Sequence, residues 1–170
     1  PPIITANTVV ANPDFKAIKE SGFLKYSYKP FTETLKDYYP SEDVFALWQE
    51  GMKYNIFRPQ YHGREHLNVI VWLEALRNNN KILLKAFESG FWSLPNNLYD
   101  KNIINLQASY GSNDKEHINF FKKSLEEGLN LFEEIFNYRS ITFIANNYTW
   151  SPLLHQTLKD NGVNFFQGMR

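Results

Sequence analysis

A chain of 170 residues is one domain's worth of polypeptide, and its 18 Lys and Arg balance its 18 Asp and Glu. That balance argues against a protein built to coat nucleic acid or anionic lipid, since no polybasic surface exists in bulk. Apolar residues make up 43% and aromatics 16%, enough for a packed core, and no apolar run approaches the ~18 residues of a membrane span.

The first element is the β-branched run Ile3 to Val10, which predicts a short strand buried on both faces. Asn12-Pro13-Asp14 then opens a brief helix, Phe15 to Glu20, closed by Gly22. Residues 23–39 are aromatic and read as irregular, punctuated by Pro30 and Pro40. Ser41 is the expected cap of a helix in which Val44, Leu47, Trp48 and Met52 repeat at helical spacing. Asn55 to Arg58 reads as a strand that Pro59 ends. An amphipathic helix follows through Val69, Ile70, Leu73 and Leu76, broken by Asn78-Asn79-Asn80, and another spans Lys81 to Ser89. Residues 90–113 read as a long loop. Asp114 begins a long helix with apolar positions from Ile118 to Ile135. Residues 140–145 form a strand, Ser151-Pro152 caps a helix, and Val163 to Phe166 closes as a strand. Strands alternating with helices predict an α/β protein with a mainly parallel sheet or barrel, in one domain over residues 1–170.

Cysteine is absent, so thiolate nucleophiles, disulfides and Cys-ligated zinc are excluded. Any metal must be held by His, Asp, Glu or Asn, and half of the four His lie in His62-Gly63-Arg64-Glu65-His66. If residues 62–77 are helical from the start, His62 and His66 share one face and close on one ion. The pair follows a predicted strand, and ligands collect at the carboxyl ends of strands in α/β sheets and barrels. Glu65 is a candidate base or partner to a His, and Arg64 a candidate holder of an anion. The competing reading is a chance spacing in which one His caps a helix or bonds within the core. His117 and His155 read as ordinary helix residues. Asn146-Asn147-Tyr148-Thr149-Trp150 follows a strand and is a candidate sugar site, amides for hydroxyls and rings for the apolar face, or else an Asx-rich turn. Trp92 and Tyr99 are vaguer candidates of the same kind.

The pentapeptide, and more broadly Phe57 to Asn68, resembles the second motif of the NodB-type polysaccharide deacetylases, which is His, Ser or Thr, two residues, His. Phe143 to Gly168 is similar to that family's third motif. The resemblance implies a distorted (β/α) barrel of about seven strands, a divalent metal such as zinc on His62 and His66, and hydrolysis of acetyl groups from an acylated carbohydrate. It further implies supporting or catalytic parts for Glu65 and Arg64, and a substrate groove lined by Asn146, Tyr148 and Trp150. The departures are specific. Residues 1–61 contain no Asp-Asp pair, Gly63 stands for the Ser or Thr, and Ala145 and Asn147 stand for the third motif's Arg and Pro. No acid His follows Gly168. The chain opens Pro1-Pro2 without a signal-peptide pattern. It therefore reads as a domain cut after its first strand and first motif, with the cytoplasm slightly favoured. The alternative function is a glycan-binding or assembly domain that kept the fold and lost the chemistry. No nucleic-acid partner is expected, and the oligomeric state is left open.

Overall fold

Four parallel strands define the architecture, in a computed structural model that describes residues 2–94 and 106–168. They are β1 (Ile4–Thr8), β4 (Phe57–Tyr61), β5 (Thr142–Ile144) and β6 (Phe165–Gln167), lying side by side in the order β1-β4-β5-β6. A separate antiparallel pair, β2 (Ala11–Pro13) and β3 (Tyr28–Pro30), flanks them. The helices are α1 (Phe15–Glu20), α2 (Phe31–Tyr38), α3 (Val44–Lys53), α4 (Val69–Arg77), α5 (Lys81–Glu88), α6 (Lys115–Phe136) and α7 (His155–Asp160). The expected α/β class holds. The expected seven-stranded barrel is not seen: the described residues form six strands, four of them in an open sheet.

Local chemistry explains most element boundaries. Short polar side chains accept from the free N–H groups of the first turn in α1, α3, α4, α5 and α6. Asp14 receives Ala17 N at 3.1 Å, Asn80 receives Leu83 N at 3.1 Å, and Asp114 receives Glu116 N and His117 N at 2.9 and 3.2 Å. Helix α3 starts from Asp43, not Ser41, with Asp43 accepting from Ala46 N. The segment 23–39, read as irregular, contains β3 and α2. Its helical period is short and was hidden by the density of aromatics on both sides.

Pro59 lies inside β4, where it was expected to end the strand. A proline is tolerated because the β4–β5 ladder covers only Tyr61 and Phe143, so at Pro59 the strand is laddered only to β1. β1 is an edge strand, and Ile4 is 63% exposed, so the expectation of burial on both faces is corrected. β6 begins at Phe165, two residues later than read.

Helix α6 supplies the main core. Phe121, Leu125, Leu129, Phe132 and Phe136 repeat at helical spacing and are buried, packing with Tyr61 and Phe143 of the sheet. Close approach of α6 to β4 depends on Gly128, because a Cβ there would overlap the Tyr61 hydroxyl. A second cluster joins Ile18 of α1, Trp72 and Leu76 of α4, and Leu83 and Phe87 of α5. The opposite face of the sheet, with Thr5, Arg58, Gln60, Thr142 and Gln167, lines an open cleft of about 440 Å³.

Candidate metal centre

Residues 62–68 are not helical. Helix α4 begins at Val69, with Asn68 as its cap accepting from Val71 N. The helical-face argument for His62 and His66 is thereby corrected: an irregular segment leaving the carboxyl end of β4 brings them together instead. Their rings lie 5.2 Å apart, centre to centre, with planes inclined at 63°. Both are half-buried.

Backbone contacts fix this segment at almost every peptide. His62 N donates to Thr8 O at 3.0 Å, and His62 O accepts from Asn146 Nδ2 at 2.8 Å. Arg64 O accepts from Val10 N and Ala11 N at 3.1 and 2.8 Å, and Arg64 N donates to the Tyr110 hydroxyl at 3.3 Å. Glu65 O accepts from Ser109 Oγ at 3.1 Å. The side chain of His62 is held as well, its Nδ1 lying 2.7 Å from Ile144 O. A carbonyl only accepts, so Nδ1 carries the proton and Nε2 presents a lone pair.

Arg64 and Glu65 are both buried, with side chains 3% and 4% exposed. Arg64 Nε and Nη2 donate to Glu65 at 2.6 and 3.1 Å, and Nη1 pairs with Glu127 of α6. Tyr26 and Ser124 hydroxyls donate to Glu65 at 3.3 and 3.2 Å. The guanidinium faces the rings of Tyr28, Tyr26 and Phe120 at 4.4, 5.3 and 5.6 Å. Alternate residues of the segment thus serve different purposes: the two His form one pair, and Arg64-Glu65 anchor it to α6.

The second candidate cluster meets the first at the carboxyl end of the sheet. Asn146 is fully buried and holds the His62 carbonyl through Nδ2, while its Oδ1 has no hydrogen-bond partner. Asn147 and Tyr148 both have positive φ, 52° and 55°, and Tyr148 is 49% exposed. Consecutive left-handed residues without glycine are strained, and such strain concentrates at functional positions. Trp150 pairs by a backbone bridge with Tyr110, and its Nε1 donates to His155 Nε2 at 2.8 Å. His155 is exposed at the start of α7, and His117 packs edge-on to Phe121 on α6. Trp92 packs against the second core cluster, and Tyr99 lies outside the described residues.

The chain matches no family model, no curated protein and no solved structure. The chemistry of the site therefore rests on its own geometry. Burial lowers the proton affinity of His62, opposed by its bond to Ile144 O. Burial also lowers that of His66, and the neighbouring His62 lowers it further. Both imidazoles are thus biased to the neutral, ligating form. Tetrahedral ligation through nitrogen at about 2.0–2.1 Å places two ring centres about 5 Å apart, and the observed spacing agrees. Among the described residues no group of three His, Cys, Asp or Glu gathers around one point, so the pair has no third ligand of these types beside it there.

The depressed values carry a pH prediction. In the unfolded chain both His take up protons near their ordinary 6.5, while the folded chain resists until lower pH. Between those values the unfolded state binds more protons, so stability falls as pH drops below about 6.5. Melting temperatures in metal-free buffer at pH 7.5 and 5.5 should show this loss, and His62→Gln/His66→Gln should reduce it. An unchanged pH dependence in that variant would remove the pair as its source.

Sequence reading missed Glu127, Tyr26, Tyr28, Ser124 and Tyr110 as parts of this site. Each is distant in sequence from Arg64-Glu65, Glu127 by 63 positions. The available signal was a pair of adjacent opposite charges between a strand and an apolar helix, a place where an ion pair becomes buried.

Proposed function

We infer that the chain carries the two-histidine part of a metal-dependent hydrolase that removes acetyl groups from an acylated carbohydrate. The observation that carries this reading is the His62 Nδ1–Ile144 O hydrogen bond beside a second neutral imidazole. A carbonyl on the far nitrogen of a histidine is what fixes the tautomer and ring of a metal ligand. The sheet supports the reading. Its strand order follows chain order, and α3, α6 and α7 pack on one face. A doubly wound sheet reverses its order and is covered on both faces, whereas sequential order with helices on one side is the arrangement a sector of a distorted (β/α) barrel would have.

A zinc-like ion, when bound, polarises the acetyl carbonyl and acidifies a coordinated water. His62 and His66 would hold it. Glu65 has its carboxylate engaged by Arg64, Tyr26 and Ser124. The part its geometry supports is therefore to fix the segment, with Arg64, between the two ligands. Tyr148 offers an exposed ring to a sugar, Trp150 packs partly buried against the core, and Asn146 braces the His62 peptide.

Cobalt(II) and zinc titrations test the metal reading. Wild type should bind one ion, and His62→Ala and His66→Ala should each weaken binding about a hundredfold or more. Equal affinity in all three proteins would overturn the assignment. A second reading, a glycan-binding domain without turnover, is favoured by the strained Asn147-Tyr148 pair that leaves the Tyr148 ring half-exposed. Acetylated oligosaccharides separate the two: binding or acetate release that depends on metal and on His62 supports the hydrolase, and binding that neither metal removal nor His62→Ala changes supports the recognition domain.

A further inference from the structure

Arg64, but not its partner Glu65, lines a cavity of about 510 Å³ between α4, α6 and residues 24–28. Pockets for small ligands fall in the range of about 300–1,000 Å³. Its apolar wall is Val69, Ile70, Leu73 and Phe120, and Tyr26 and Tyr28 complete the lining beside the guanidinium. Lys25, Arg77 and Lys123 also line it, in a chain whose formal net charge is zero. Four cations and one carboxylate, Glu127, therefore line this cavity.

The two carboxylates on Arg64 are not equivalent. Glu65 is 4% exposed and accepts from four donor groups, so it is locked. Glu127 is 34% exposed and is shared among Arg64, Lys123 at 3.6 Å and the Tyr28 hydroxyl at 3.5 Å. Rotation into water would resolvate Glu127 and free an N–H edge of a buried guanidinium ringed by aromatics. Such an edge prefers a planar carboxylate.

We propose that this cavity binds a small amphipathic carboxylate, an aryl- or alkyl-carboxylic acid, whose carboxylate takes the place of Glu127 on Arg64 while its body lies against Ile70, Leu73 and Phe120. The cavity shares Arg64 and Glu127 with the network that anchors the His segment, but neither His lines it, so carboxylate binding requires no metal.

Titration calorimetry of the whole chain with phenylacetate and with octanoate tests it, with inorganic phosphate as an anion lacking an apolar body. Both carboxylates should bind and phosphate should not. Glu127→Gln removes the competing charge and should tighten carboxylate binding about tenfold. Ile70→Trp fills the cavity and should abolish binding in a protein that still melts cooperatively. No carboxylate binding by either wild type or Glu127→Gln overturns the proposal. So does weaker binding by Glu127→Gln, or binding that phosphate matches or that survives Ile70→Trp.

Discussion

Replacing Arg64 with Met should destabilise the fold by about 3–5 kcal/mol, the largest loss expected of any single side chain here. Met roughly matches the aliphatic stem, so the packing against Tyr28 and Phe120 is largely kept. What disappears is the charge opposite Glu65, which is 4% exposed and would keep only the Tyr26 and Ser124 hydroxyls. Glu127 contributes little to the loss, being one-third exposed and able to turn into water. Arg64→Lys should cost less, about 1–3 kcal/mol, since it keeps the charge and loses the forked geometry. Urea denaturation reads all of these. The double variant Arg64→Met/Glu65→Leu should recover more than half of the single loss, because no buried charge is then left alone. A single-variant loss below about 1 kcal/mol would show that the network does not hold the segment.

The same residues show how far the sequence could be read. The starts of α1, α5 and α6 were legible because each depends on one short polar side chain next to an apolar period, Asp14, Asn80 and Asp114, whereas α2 starts from Pro30 without a side-chain cap. The placing of His62 and His66 at a strand's carboxyl end was legible for the same local reason. How they meet was not. A four-residue spacing suggests a helix, yet the observed segment is irregular and shaped by Thr8, Val10, Ser109, Tyr110 and Asn146, all outside it. No local pattern encodes such contacts. Closure into a barrel was not legible for a related reason. Alternation shows that strands and helices follow one another, whereas closure depends on edges, and among the described residues β1 and β6 are the edges of this sheet.

Gly63 is where resemblance and geometry make opposite predictions, and a substitution there should separate them. The deacetylase motif has Ser or Thr between its first His and the following residues, so Gly63→Ser would be expected to restore a support for the metal. The backbone says otherwise. Gly63 has φ of 104°, a conformation that L side chains rarely adopt. A Cβ there would lie 2.9 Å from Asn146 Oδ1 and 3.0 Å from the Tyr110 hydroxyl, both in buried side chains. Backbone strain of about 1–3 kcal/mol adds to this crowding. We therefore expect Gly63→Ala and Gly63→Ser to lose about 2–4 kcal/mol each. The serine hydroxyl could donate to the unpartnered Asn146 Oδ1, so Ser should be the milder of the two. The neighbouring His62, the proposed ligand, should feel the change as well. His62 is tied to Ile144 O through its ring and to Asn146 through its carbonyl, so displacing Asn146 should disturb the placing of the imidazole beside His66. Cobalt(II) affinity should fall about tenfold or more in both variants, measured at a temperature where each remains folded. A Gly63→Ser protein with wild-type stability and tighter metal binding would mean that the segment adapts to its side chains and is not a rigid frame.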